Sequence, residues 1–146
     1  MSAAILARAI PLAQTRELRQ AVLRPHETVE QVAADEAPDA FAVGAFDAEE
    51  MIAVGLIAPD GGPGAWRVRG MATAPHARGR GGGRAVLDAL VRHARECGAR
   101  RIWCNARVPA QRFYERAGMQ VISDEFELPN IGPHLVMEMR ADGSGV

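Results

Sequence analysis

Residues 78–87 read Arg-Gly-Arg-Gly-Gly-Gly-Arg-Ala-Val-Leu, and no other stretch restricts the fold so tightly. They lie between a strand-like run that ends near Ala74-Pro75 and a helical pattern that continues to Cys97. Gly79, Gly81, Gly82 and Gly83 remove the side chains that would hold a ligand away from the main chain. The helix that follows exposes unpaired N–H groups in its first turn. Arg78, Arg80 and Arg84 flank this loop, so fixed dipoles and mobile cations converge where a phosphate or pyrophosphate would be stabilised. The plainer alternative is a flexible glycine turn with solvated arginines.

Charge is distributed unevenly around that loop. The net charge is only -1, yet residues 25–60 hold nine acids and no Arg, whereas residues 66–116 hold twelve Arg against three acids. Aromatic residues make up 5% of the chain and the arginines fall on helix, strand and loop alike, so a small phosphorylated ligand fits this half better than nucleic acid. All seventeen basic residues are Arg. The absence of lysine excludes a P-loop lysine, a Schiff-base lysine and a pyridoxal anchor. Cys97 and Cys104 form no paired framework and no metal spacing occurs, so a reducing, cytoplasmic setting without a metal is expected. The longest apolar runs fall far short of the ~20 residues that a membrane helix needs. At 146 residues and 48% apolar content, the chain has the size of one domain. That domain is expected over residues 1–140, followed by a flexible tail over 141–146.

Taken in order, residues 3–10 suit an edge strand, and Pro11 opens a helical pattern carried by Leu12, Leu18, Val22 and Leu23. Residues 28–34 suggest a second, weaker helix. Residues 39–47 and 51–58 are apolar runs joined by Ala48-Glu49-Glu50, the pattern of a hairpin buried on both faces. In residues 65–74, Trp66 and Val68 alternate with Arg67 and Arg69 until Gly70 and Met71 shift the phase, which predicts a β-bulge. The helix after Gly82 places Val86, Leu87, Leu90, Val91 and Ala94 on one face, with Gly98 as its stop. A strand over 101–105 and a short helix opened by Pro109 and closed by Gly118 follow. Residues 119–128 and 135–140 suggest a last strand pair joined by a loop over 129–133.

This succession resembles the GNAT superfamily of N-acetyltransferases, most clearly over residues 66–120. The superfamily's pyrophosphate signature, Arg or Gln, two residues, Gly, one residue, then Gly or Ala, is met by Arg78, Gly81 and Gly83. A second signature, an Ala four residues before a Tyr with an aliphatic-Gly stop, is met by Ala110, Tyr114 and Gly118. A dinucleotide GxGxxG would need glycine at Arg84, and a P-loop would need Lys. The resemblance implies an α/β (α+β) fold: a mixed, mostly antiparallel sheet of six or seven strands, helices on both faces, and a V-shaped cleft at the bulge.

It also implies acetyl transfer from acetyl-CoA to a primary amine by direct attack. The coenzyme would lie along Met71, Ala72 and Thr73 with its pyrophosphate on Arg78 through Arg84. A backbone N–H near Thr73 is the candidate oxyanion donor. Tyr114, the only tyrosine, is implied as the general acid toward the thiolate; its alternative is a packing ring. For the base, the strand around Arg67–Thr73 offers no acid, which leaves His134, Asn105 through water, Glu127 and Glu138. His134 leads because imidazole titrates near neutrality and the Gly132-Pro133 turn would aim it. His26, His76 and His93 read as exposed.

Many superfamily members carry Asn three residues before the Ala of the second signature; here Arg107 stands there, with Asn105 two residues earlier. A covalent route through Cys104 is disfavoured because buried strand cysteines are inert. The acceptor is expected to be a small-molecule or peptide amine, and the acid-rich segment 27–60 mildly favours a cationic one. Neither nucleic acid nor membrane is expected as a partner, and a homodimer is left open. The rival reading is a non-catalytic acyl-CoA-binding sensor.

Overall fold

The computed structural model describes residues 4–141. Its strands are β1 (Ile5–Ala9), β2 (Phe41–Asp47), β3 (Glu50–Pro59), β4 (Ala65–Thr73), β5 (Arg101–Arg107), β6 (Gln120–Val121), β7 (Phe126–Leu128) and β8 (Gly132–Arg140). They form one sheet in the order β1-β2-β3-β4-β5-β8-β6, with β7 also on β8. Every pairing is antiparallel except β4 with β5. Helices α1 (Arg16–Leu23), α2 (Val29–Ala34), α3 (Gly82–Glu96) and α4 (Gln111–Arg116) cover the sheet. None of them is long and apolar enough to cross a membrane.

The sheet has eight strands because the expected single strand over 119–128 breaks in two. At the break the Ser123 hydroxyl accepts the Val136 N–H at 2.8 Å, taking the place of a main-chain carbonyl and interrupting the ladder. β8 also begins earlier than expected, so His134 lies within a strand, opposite Arg107 and Phe126, and not in a turn. A main-chain ladder to two neighbours satisfies more backbone groups than a loop would. Ala141, which begins the expected tail, is buried and donates its N–H to the Arg100 carbonyl. The rest of that tail, residues 142–146, lies outside the described residues.

α3 lays its buried face, Val86, Leu87, Leu90, Val91 and Ala94, across β1 to β4. Gly98 ends it with φ +87°. On the opposite face α1 packs on β4 and α2 packs on α1. α2 is fixed at its start by a reciprocal cap between Thr28 and Gln31. The two helices are locked together by Glu36, whose side chain is 3% exposed and which receives Arg16 at 2.7 Å and also Arg19. Burial alone would raise the Glu36 carboxyl, but the two arginines outweigh it and hold the group below the usual carboxylate range.

A carboxyl held low in the folded state contributes stability above its unfolded pKa of ~4.3 and loses it as pH falls through the lower folded value. Glu36→Ala should therefore cost about 3 kcal/mol at pH 7, because it strands a buried Arg19. In denaturant titrations the gap between variant and parent should close as pH is lowered through and below ~4. A gap of constant size across that range would mean that the ion pairs do not carry the stabilisation.

Candidate active site

The site begins with a mismatch of one residue between β3 and β4. Val54 pairs with Ala72 and Leu56 with Arg69, so Gly55 alone faces both Gly70 and Met71. Gly70 adopts φ +63°, which makes this a glycine bulge at the expected place. β4 pairs with β5 only from Ala65 to Arg67, against Arg101 to Trp103. Past that point the two strands part, and a cavity of about 840 Å³ occupies the gap. Met71, Thr73, Asn105, Tyr114 and His134 all line it, together with Arg78, Gly79, Gly81, Gly82, Gly83 and Arg84 of the loop.

Within the loop the four glycines do two different jobs. Gly81 is the N-cap residue of α3 at φ +88°, and a Cβ built on it would meet nothing within 4 Å. Its glycine is therefore required by backbone conformation at an open, ligand-accessible turn, and Gly79 at φ +83° is the same. Gly82 is buried, and a Cβ there would come within 3.0 Å of Ile52. A Cβ on Gly83 would stand 3.2 Å from the Thr73 hydroxyl. These two let the first turn of α3 sit tightly on β3 and β4.

The flanking arginines also separate. Arg78 and Arg84 line the cavity, the latter held by Asp88 at 2.9 Å and by the Arg116 carbonyl at 3.2 Å. Arg80 turns away to Asp47 at 3.0 Å and does not line it. Ala72 is buried and does not line it either.

β5 alternates strictly, with Ile102, Cys104 and Ala106 buried and Arg101, Trp103, Asn105 and Arg107 on the other face. On the buried side Tyr114 joins the core cluster with Cys104, 7% exposed, its ring edge-on to Phe113. Burial pushes the phenol's pKa up, and Cys104 adds to the effect. The hydroxyl has no hydrogen-bond partner among the described residues, so it is protonated and available to whatever enters the cavity. Burial likewise pushes the Cys104 thiol up to about 12.

Residues directly opposite in a ladder share a face. Arg67 faces Trp103 and Arg107 faces His134, so Arg67, Asn105, Arg107 and His134 all belong to the face opposite α3. His134 is 4% exposed and its Nδ1 lies 2.8 Å from the Gly132 carbonyl. A carbonyl only accepts, so in the neutral ring Nδ1 carries the hydrogen and Nε2 is left with the lone pair. Of the other base candidates, Glu138 is paired with Arg101 and Glu127 is exposed; neither lines the cavity. Asn105 does line it. His26 and His76 are exposed as expected, but His93 is half-buried and stacks on Phe41 with ring centroids 3.6 Å apart.

A family model described as the acetyltransferase (GNAT) family matches residues 9–119. The chain belongs to this family. It is 32% identical over 135 residues to an uncharacterised N-acetyltransferase of Bacillus subtilis (strain 168), YitI, covering 88% of this chain and 91% of that one. The ribosomal-protein-S18-alanine N-acetyltransferase of Escherichia coli superposes with a TM-score of 0.77 at 14% identity, over 97% of each chain. An aminoglycoside 6'-N-acetyltransferase solved with coenzyme A reaches the same TM-score and identity over 93% of this chain and 97% of that one. At such identities the two structures share the fold with this chain. The GNAT assignment makes the protein an acyltransferase of the N-acetyltransferase kind.

What the sequence reading missed in this GNAT site is the cationic half of the cavity: Arg67 and Arg69 on β4, Arg107 on β5, and Arg24 just past α1. The signal was present in the alternation of Arg67 and Arg69 with Trp66 and Val68. The acids of residues 27–60 are largely occupied elsewhere. Glu36 is taken by Arg16 and Arg19, Glu50 by His76, and Asp47 by Arg80. From that segment only Asp35 lines the cavity, and Arg24 holds it at 2.8 Å.

The burial of Cys104 yields a direct test of whether a thiol can serve this site. At pH 8 a thiol pushed up to about 12 is almost wholly protonated, so iodoacetamide should label the native protein once, on the exposed Cys97. Peptide mapping should find Cys104 modified only after unfolding. Fast native labelling of Cys104 would reopen a covalent route.

Proposed function

We propose that the protein transfers the acetyl group of acetyl-CoA to a primary amine by direct attack, with Tyr114 as general acid and His134 as general base. The observation that carries this reading is the parting of β4 and β5 at the Gly70 bulge, which brings the glycine loop, Tyr114 and His134 onto one cavity. The loop suits a pyrophosphate: Gly79 and Gly81 present main chain with nothing in front of it, at the start of a fifteen-residue helix. A cavity of about 840 Å³ has room for the reactive arm of a coenzyme and a small acceptor together. The structure with coenzyme A among those similar in fold supports the choice of ligand.

In this reading the amine, once neutral, attacks the thioester carbon, and the carbonyl electrons move onto oxygen. A free main-chain N–H near Thr73 is the proposed donor to that oxygen. The proton lost by the nitrogen passes to Nε2 of His134, which its Gly132 contact leaves unprotonated in the neutral ring. As the C–S bond breaks, Tyr114 gives its proton to the departing sulfur. Its burial keeps the phenol neutral at working pH, so it meets the developing thiolate as a donor and not as a second anion.

Tyr114→Phe keeps the ring in the core and removes only the donor. The catalytic rate should fall roughly 10²-fold while acetyl-CoA affinity by calorimetry stays within a factor of two or so. Turnover at the parent rate would leave Tyr114 a packing residue.

His134→Gln retains a polar side chain at the strand position and removes the imidazole. It should lower kcat by about 10²-fold while acetyl-CoA affinity by calorimetry changes little. A parent-like kcat in the variant would assign the base to water or to another group.

A further inference from the structure

Resting on the acetyl-transfer reading, we infer that the accepted amine also carries an anionic group, a carboxylate or phosphate, bound by Arg67, Arg69 and Arg107. The three side chains line the cavity on the sheet face opposite α3, the face that also carries His134. They are distinct from the proposed coenzyme contacts. At about 3.3 Å per strand residue, Arg69 and Arg67 lie about 13 Å and about 20 Å along β4 from Thr73, on the far side of the bulge from the glycine loop.

The balance of charge in this half of the cavity is what selects an anion. Arg19 is neutralised by Glu36, and Arg24 by Asp35 and Glu27. With Asp35 so occupied, the cavity lining offers no free carboxylate among the described residues. Among the described residues Arg107 donates only to the Leu23 carbonyl, a neutral acceptor. Arg67 lies over the Trp103 ring and touches Asp60 at the limit of 3.5 Å, while its buried Nε has no partner among the described residues. Arg69 has no hydrogen-bonded acid among the described residues; its nearest charged neighbours are Arg67, Arg24 and Arg19, against the single Asp35.

Partly buried cations crowded in this way are costly unless an anion joins them. Desolvation lowers the pKa of both Arg69 and Arg107, and the neighbouring cations add to it, as expected of groups that lack their counter-charge. Guanidinium groups present paired N–H donors that match a carboxylate or phosphate, and stacking on Trp103 keeps one fork in place. A polyamine or amino sugar would add positive charge to the same space. The acidic stretch 27–60 therefore does not mark the acceptor's path, because only Asp35 of its carboxylates lines the cavity, and Arg24 holds it.

The test is a panel assayed with acetyl-CoA by thiol release: β-alanine and glutamate as carboxylate amines, phosphoethanolamine as a phosphate amine, ethanolamine as the neutral match, and spermidine as a polycation. At least one acidic amine should exceed ethanolamine and spermidine at least tenfold in kcat/KM, and the two acidic arms tell carboxylate from phosphate. Arg69→Gln should raise KM for the preferred acidic amine at least tenfold, with kcat and acetyl-CoA affinity little changed, whereas a fold defect would lower both. Arg69→Glu should narrow or invert the preference between acidic and cationic amines. Preference for ethanolamine or spermidine, or turnover of no acidic amine by a protein that binds acetyl-CoA, overturns the inference. Failure to bind acetyl-CoA in calorimetry would instead overturn the acetyl-transfer reading beneath it.

Discussion

One extra residue in β4 governs the architecture. Gly70 and Met71 together oppose Gly55, and that surplus needs a positive φ at Gly70 and space on both sides of the sheet. A Cβ on Gly70 would stand 2.8 Å from Nε of Arg19, and a Cβ on Gly55 would stand 2.4 Å from the Met71 sulfur. The bulge is thus clamped from below by a buried arginine that is itself fixed by Glu36, and from above by a side chain admitted only because its neighbour has none. Strand twist increases at a bulge, so β4 leaves β5 after three paired residues and the sheet opens without losing its core.

Opening the sheet there separates two environments by the alternation of a single strand. The even side of β5, Ile102, Cys104 and Ala106, remains within the core that α3 and α4 complete, and holds Tyr114 in low-dielectric surroundings. The odd side, with Asn105 and Arg107, faces the space left under α1 and α2. Tyr114 and His134 are thereby kept apart by a strand's thickness while lining the same gap. The glycine loop at one end of β4 and the arginines at the other make the gap polar at both mouths.

Features fixed by short-range geometry were legible in the sequence. The glycine loop, the α3 core face, the Gly98 stop, the β2–β3 hairpin and the phase shift at Gly70 each depend on residues within a few positions of one another. Features fixed by distant partners were not. Ser123 splits the last strand by bonding Val136, and His134 enters a ladder because Arg107 and Phe126 flank it. Arg80 leaves the loop because Asp47 is 3.0 Å away across 33 positions. A run of acids looks like a binding surface until the partners that consume them are known, and those partners sit on other elements. The excess of twelve arginines over three acids in residues 66–116 was visible as composition, but its division between paired and unpaired groups was not.

The absence of lysine gives that division its force. A lysine crowded by other cations in a half-buried cavity can shed its proton and relieve the repulsion, since its pKa moves readily with burial. Arginine does not do so at any working pH, even where desolvation and neighbouring cations lower it as they do at Arg69. The positive potential on the open face of β4 and β5 is therefore a permanent property of the folded chain. Within the chain it is answered only partly, because Glu36, Asp35 and Glu27 are committed to Arg16, Arg19 and Arg24. Solvent screens a charge at an open mouth but is expelled when an acceptor occupies the cavity, and at that moment the uncompensated cost of the arginines rises. A bound anion removes this cost and a bound cation increases it, so an occupied cavity discriminates between the two more strongly than an open one.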